Sequence, residues 1–82
     1  MSNTTKSEIT VRSQDDLRTA LLQARFAAKL SQKDASDEAD INRTYLSRLE
    51  NGQIDLAYMD RVLDLFKVYG ATITVSFENE VD

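Results

Sequence analysis

The sequence predicts a mainly α domain of four or five short helices framed by two short strands. Three observations carry that expectation. Apolar residues recur at helical spacing in two long stretches, small polar residues stand where helices should open, and both ends switch to a two-residue alternation.

A chain of 82 residues makes one domain, and a domain that small hides only about 60% of its unfolded surface. There is no cysteine and no histidine. Disulfides, thiolate metal sites, the usual zinc ligand and the usual general base are therefore all missing. The carboxylates are scattered along helical stretches beside Lys and Arg, as on a solvated face, so neither an enzyme nor a cofactor is expected. No apolar run approaches the roughly 20 residues that cross a bilayer. Residues 1–7 are polar and lack the apolar stretch of a signal peptide, so a cytoplasmic protein without a membrane partner is expected. Small size without any staple points to dimerisation as the further source of stability.

Residues 1–7 read as a disordered tail, 8–78 as the domain and 79–82 as a second tail. In residues 8–12, Ile9 and Val11 flank Thr10 in the alternation of a short strand. Ser13 then looks like an N-cap, with Asp16 in the place of the capping-box acid. Leu17, Ala20, Leu21, Ala24 and Ala28 share one face of a first helix that runs from Gln14 to near Lys29. Ser31 caps a short helix reaching about Ala39, and Asp40-Ile41-Asn42 forms a tight turn. Asn42 caps a third helix, residues 43–50, which Asn51-Gly52 closes.

Beyond a linker at residues 53–55, Met59, Val62, Leu63, Phe66 and Tyr69 repeat at helical spacing over one or two helices, and Gly70 stops them. Residues 71–77 then put Ile73, Val75 and Phe77 on one side and Thr72, Thr74 and Ser76 on the other. Phe26 and Phe66 read as core, while Tyr45, Tyr58 and Tyr69 read as caps on it with wet hydroxyls. A lone strand leaves its backbone groups unsatisfied. The two strands pair with each other or with their copies in a second chain, and the second arrangement, with Ile73, Val75 and Phe77 in a dimer strand, is preferred.

Residues 30–52 have a definite layout. Ala35, Ala39, Ile41, Leu46 and Leu49 are apolar pegs. Leu46 and Leu49 anchor the third helix and leave Arg43, Thr44, Ser47 and Arg48 outward. Two short helices joined by a tight turn, the second presenting Arg and Thr, have the geometry that enters a major groove.

This segment resembles the phage-repressor-type helix-turn-helix, the Xre or Cro/C1 family with its lambda-repressor-like fold. The shared signs are Leu30-Ser31-Gln32, Ala39, Ile41 and the run Leu46-Ser47-Arg48-Leu49-Glu50-Asn51-Gly52, and the resemblance extends over residues 17–70. It implies an ion pair between Arg25 and Glu50. It also implies base reading by Arg43, Thr44 and Arg48, contact from Gln32 with a phosphate, alone or together with a base, and positions close to the groove for Ser47 and close to the backbone for Asn51. Tyr45 either caps the core or reaches a phosphate. Two arginines on one recognition helix suggest a half-site containing G·C pairs. The terminal strands are similar to the frame of HipB-type antitoxins, whose C-terminal strands pair between two chains in a dimer that represses its own operon and holds a toxin kinase.

The expected function is a homodimeric, sequence-specific repressor binding an inverted repeat in double-stranded DNA, as the autoregulating antitoxin of a toxin–antitoxin operon with a HipA-like kinase as partner. Two alternatives stay open: a phage or plasmid regulator without a toxin, and a protein-interaction module that kept the fold and lost DNA binding. Three features depart from the pattern. Asp40 stands at the common turn glycine, Ala35 replaces a larger aliphatic, and Asp34, Asp37, Glu38 and Asp40 make the second helix acidic in a chain of net charge −4. DNA-binding domains normally carry a basic footprint, so these acidic side chains are expected to face away from DNA.

Overall fold

The computed structural model describes residues 5–55, 57 and 59–80. Among them four helices form: α1 (Gln14–Ala27), α2 (Gln32–Ala39), α3 (Arg43–Glu50) and α4 (Met59–Val68).

The first three helices open where a short polar side chain takes an amide that has no partner in the first turn. Ser13 Oγ accepts from the Asp16 N–H at 3.1 Å, Ser31 Oγ from Asp34 at 3.0 Å, and Asn42 Oδ1 from Thr44 at 2.7 Å. The Asp16 carboxylate accepts from the Arg12 N–H at 2.9 Å. It thereby holds the residue ahead of the cap, whereas a capping box would return a bond to Ser13 itself.

All four helices close with the same left-handed step. The residues that take it are Lys29, Asp40, Gly52 and Gly70, with φ of 58°, 55°, 93° and 72°. In each case the following N–H bonds back across the last turn: Leu30 to the Arg25 carbonyl, Ile41 to Ser36, Gln53 to Arg48 and Ala71 to Phe66. This is the Schellman pattern, which satisfies carbonyls the helix leaves free. Two of the four positions are glycine, the residue with no Cβ to strain there. Asp40, at the tight turn, tolerates the left-handed region better than most residues.

Leu21, Leu46, Leu49, Val62 and Leu65 are fully buried and form the centre of the core. Helix α2 packs on both α3 and α4, and it meets them through the buried Ala35 and Ala39. Small side chains there let the helix axes approach closely. Ile54 is also buried, so the segment read as a linker contributes a core residue.

Several expectations need correction. Residues 8–12 and 71–77 form no strand in the described chain. A strand needs an edge to pair with, and within one copy neither segment meets one; Ile73, Val75 and Phe77 remain 52%, 79% and 74% exposed. Phe26, read as core, is 55% exposed. It lies nine positions beyond Leu17, about two and a half turns, and so on the face opposite the buried stripe. Its ring instead carries the Arg25 guanidinium, 4.9 Å from the ring centroid. On α4, Leu63 is exposed and Leu65 takes the core position. The hydroxyls of Tyr45 and Tyr69, read as wet, are buried, and Tyr58, read as a cap on the core with them, lies outside the described residues.

Candidate nucleic-acid interface

Helix α3 has two unlike sides. Leu46, Leu49 and Glu50 are buried against the body of the domain. Arg43, Thr44, Arg48 and Asn51 are exposed, with Ser47 half-buried among them. At 3.6 residues per turn these five positions fall within an arc of about 140°. The helix therefore presents two guanidinium groups, two hydroxyls and an amide along one outward strip. Tyr45 sits at the border of that strip, half-buried.

A buried polar cluster fixes the angle at which α3 is held. Arg25 on α1 donates from Nε to Glu50 Oε2 at 2.7 Å and from Nη2 to Glu50 Oε1 at 3.0 Å. Its remaining Nη1 donates to the Leu30 carbonyl at 2.9 Å, which ties the same guanidinium to the entry of α2. Gln32, the first residue of α2, donates from Nε2 to Glu50 Oε1 at 2.9 Å. One carboxylate thus receives donors from α1 and α2 while it belongs to α3. Two parallel bonds between a planar guanidinium and a carboxylate fix orientation as well as distance. The hydrogen bond to Glu50 pushes the Arg25 pKa above its ordinary value, against the opposing cost of burial.

Tyr69 lies at the edge of this cluster. Burial pushes its hydroxyl pKa up to about 12, the Glu50 charge adds to the shift and the Arg25 charge opposes it. Among the described residues no hydrogen-bond partner reaches that hydroxyl.

Two features were not singled out in the sequence. Arg18 Nη1 donates to the Glu50 carbonyl at 3.4 Å, placing a cation at the C-terminal end of α3, where the helix dipole favours it. The spacing held a signal for this residue: Arg18 and Arg25 are seven apart on one helix and so share a face. A cleft of about 630 Å³ also opens beside Arg48, lined by Gln14, Tyr45, Gln53 and Ile54.

Gln32, expected at a phosphate, is thus engaged with Glu50 in the free protein. The acidic residues Asp34, Asp37, Glu38 and Asp40 are all exposed, and Asp37 pairs with Lys33 at 3.1 Å. Among the described residues no group of three or more carboxylates could hold a metal ion, and no helix is long and apolar enough to cross a membrane.

Compared with known protein families, residues 16–75 match the helix-turn-helix domain. That span covers most of the chain, including all of α2 and α3, and the chain belongs to this family of DNA-binding regulators. Comparison with curated proteins and with solved structures gave no match.

Proposed function

We propose that this protein is a sequence-specific transcriptional repressor that acts as a homodimer on an inverted repeat. The observation that carries this reading is the outward strip of α3 with Arg43, Thr44, Ser47, Arg48 and Asn51, held at a fixed angle by the Arg25–Glu50–Gln32 cluster. In this reading α3 lies in the major groove. Arg43 and Arg48 read base edges, a bidentate arginine–guanine pair contributing about 1–3 kcal/mol of discrimination. Ser47 lies close to the groove and Asn51 borders the sugar–phosphate backbone. Gln32 keeps its bond to Glu50 or exchanges it for a phosphate when DNA arrives. Two copies place their recognition helices in half-sites about 10 bp apart, or a multiple of that.

We further infer that the regulated operon is its own and that the protein is the antitoxin of a toxin–antitoxin pair. The exposed acidic side of α2 supports this, since a partner protein with a basic patch would find complementary charge there. Copurification from the intact operon tests it: a stoichiometric kinase-like second protein supports the antitoxin role, and its absence leaves a plain regulator.

DNA binding is tested by fluorescence anisotropy on the DNA immediately upstream of the gene. Wild type is compared with the Arg43→Ala, Arg48→Ala double variant at two salt concentrations, after circular dichroism shows that both are folded. Tight binding that the double variant loses is the expected result. Equal and weak binding by both proteins would favour the second reading, a protein-interaction module whose acidic α2 has displaced DNA as the partner.

A further inference from the structure

The terminal segments differ in how they sit on the domain. The N-terminal one is partly seated. Val11 and Arg12 line an apolar groove of about 330 Å³ together with Leu17, Ile54 and Met59, and the Arg12 N–H is held by Asp16. The C-terminal one is an arm. Residues 72–80 are exposed throughout, and the chain has a radius of gyration of 14.2 Å with a long axis of 51 Å. A compact domain of this length has a radius of gyration of about 12 Å, and the exposed arm at residues 72–80 accounts for the excess by standing off the body.

Both segments alternate, with apolar residues at odd positions and polar or charged ones at even positions. Pairing that keeps Ile9 and Val11 on the same face as Ile73, Val75 and Phe77 allows only every second register, because a slip of one residue turns a strand over. Two antiparallel registers match both Ile9 and Val11 with a β-branched or aromatic residue. One sets Ile9 against Phe77 and Val11 against Val75; it also sets Lys6 against Glu80, but it forces Glu8 opposite Glu78. The other sets Ile9 against Val75 and Val11 against Ile73. It brings Thr10 opposite Thr74, Glu8 opposite Ser76 and Lys6 opposite Glu78. Cross-strand threonine and opposite-charge pairs are favourable, and like charges directly opposed are not. The second register opposes no like charges and gains one opposite-charge pair, Lys6 with Glu78.

We propose that each copy's C-terminal arm, residues 71–78, adds as an antiparallel strand to the N-terminal segment of the other copy, with Val75 opposite Ile9 and Ile73 opposite Val11. This rests on the dimeric reading above and specifies its interface. Strand addition to a free edge supplies the backbone partners that neither segment has within one chain. The apolar face of each two-stranded ribbon then lies over the groove that Val11 already lines, which supplies the packing an isolated ribbon lacks. Lys6, now 3.8 Å from Glu8 in the same segment, gains Glu78 as a second anionic neighbour. Pairing of two C-terminal arms with each other would leave Ile9 and Val11 uncovered and the Lys6–Glu78 match unused.

The absence of cysteine makes the test clean. Val11→Cys, Ile73→Cys and Val75→Cys are made singly, together with the Val11→Cys, Ile73→Cys double variant, all at exposed positions that leave the core intact. Directly opposed residues in an antiparallel pair come within disulfide range. After mild oxidation the double variant is expected to run as a covalent dimer on a non-reducing gel, while each single variant runs as a single chain. Efficient cross-linking of Ile73→Cys or Val75→Cys alone would show pairing of the two arms and overturn the proposal while the dimer stands. A disulfide confined to one chain would also overturn it. Sedimentation equilibrium that finds only monomer overturns the dimeric reading itself. As a second readout, Lys6→Glu is expected to weaken the dimer several-fold and an added Glu78→Lys to restore it; no restoration counts against this register.

Discussion

Arg25 and Glu50, separated by 25 positions in sequence, meet through two hydrogen bonds of 2.7 and 3.0 Å in the interior of the domain. Their side chains are 10% and 6% exposed. Replacing either partner alone leaves an uncompensated charge in a buried place, which costs about 3–5 kcal/mol. Domains of this kind have about 5–15 kcal/mol in total. Arg25→Ala is therefore expected to shift the urea midpoint far downward and to weaken DNA binding as the hold on α3 is lost. Arg25→Lys keeps the charge and loses the two-pronged geometry, and should fall between. The paired change Arg25→Met, Glu50→Leu removes both charges together and should be much less damaging than the sum of the single changes. Denaturation curves for wild type, Arg25→Met, Glu50→Leu and the double variant check this, and an additive double variant would contradict it.

Tyr69 sets an alkaline limit. Its pKa in the folded protein is about 12 against an ordinary 10.0. Below pH 10 the hydroxyl is protonated in both folded and unfolded chains, and stability does not depend on it. Between pH 10 and about 12 the unfolded chain releases the proton while the folded one retains it, so stability falls as pH rises through that window. Tyr69→Phe should flatten this decline when midpoints are compared at pH 8 and pH 11. At neutral pH the same change should be neutral or stabilising by about 1 kcal/mol, because it removes a buried hydroxyl that has no partner among the described residues.

The helix ends were the most legible part of the sequence, and the reason is local. Ser13, Ser31 and Asn42 cap as their chemistry suggests because the bond each makes reaches only two or three residues along the chain. The outward strip of α3 was legible because it is the complement of the Leu46–Leu49 stripe. Distances that cross the fold were harder to read. Ile54 lies in no periodic stretch, yet the chain leaving α3 turns it into the core. The engagement of Gln32 by Glu50 requires α2 and α3 to meet at one angle, which spacing does not give. The terminal alternation is a sound strand pattern whose pairing edge is missing from a single copy.

The left-handed closures predict stability changes of either sign. An L-residue in this region costs about 1–2 kcal/mol, with Asp and Asn penalised least. Lys29, at φ 58°, carries that penalty without a short polar side chain to offset it. Lys29→Gly should raise stability by about 1 kcal/mol, and Asp40→Gly by less. The converse test is Gly70→Ala. A Cβ there would meet nothing within 4 Å, so the expected loss of about 1 kcal/mol is pure backbone strain. Thermal midpoints of the three variants should rank in that order. A Lys29→Gly variant no more stable than wild type would mean that the closure at α1 is looser than its hydrogen bonds indicate.

Gln32 separates a fold-holding role from a DNA-touching one. Its amide donates to Glu50 Oε1, which already receives Arg25, so Gln32→Leu removes one of several donors from that carboxylate. A hydrogen bond to a charged group contributes about 1.5–3 kcal/mol, and the urea midpoint should fall accordingly even without DNA. If the bond also persists in the complex, the variant weakens operator binding only as far as the tilt of α3 loosens. Discrimination between operator and mismatched DNA then falls more than affinity for random duplex. If Gln32 instead leaves Glu50 for a phosphate, affinity drops equally on both DNAs, because a phosphate contact carries no base information. Anisotropy titrations on the two duplexes, with wild type and Gln32→Leu both confirmed folded, tell these apart. The geometry of the free protein favours the first outcome, since the amide is partly buried and already well placed at 2.9 Å.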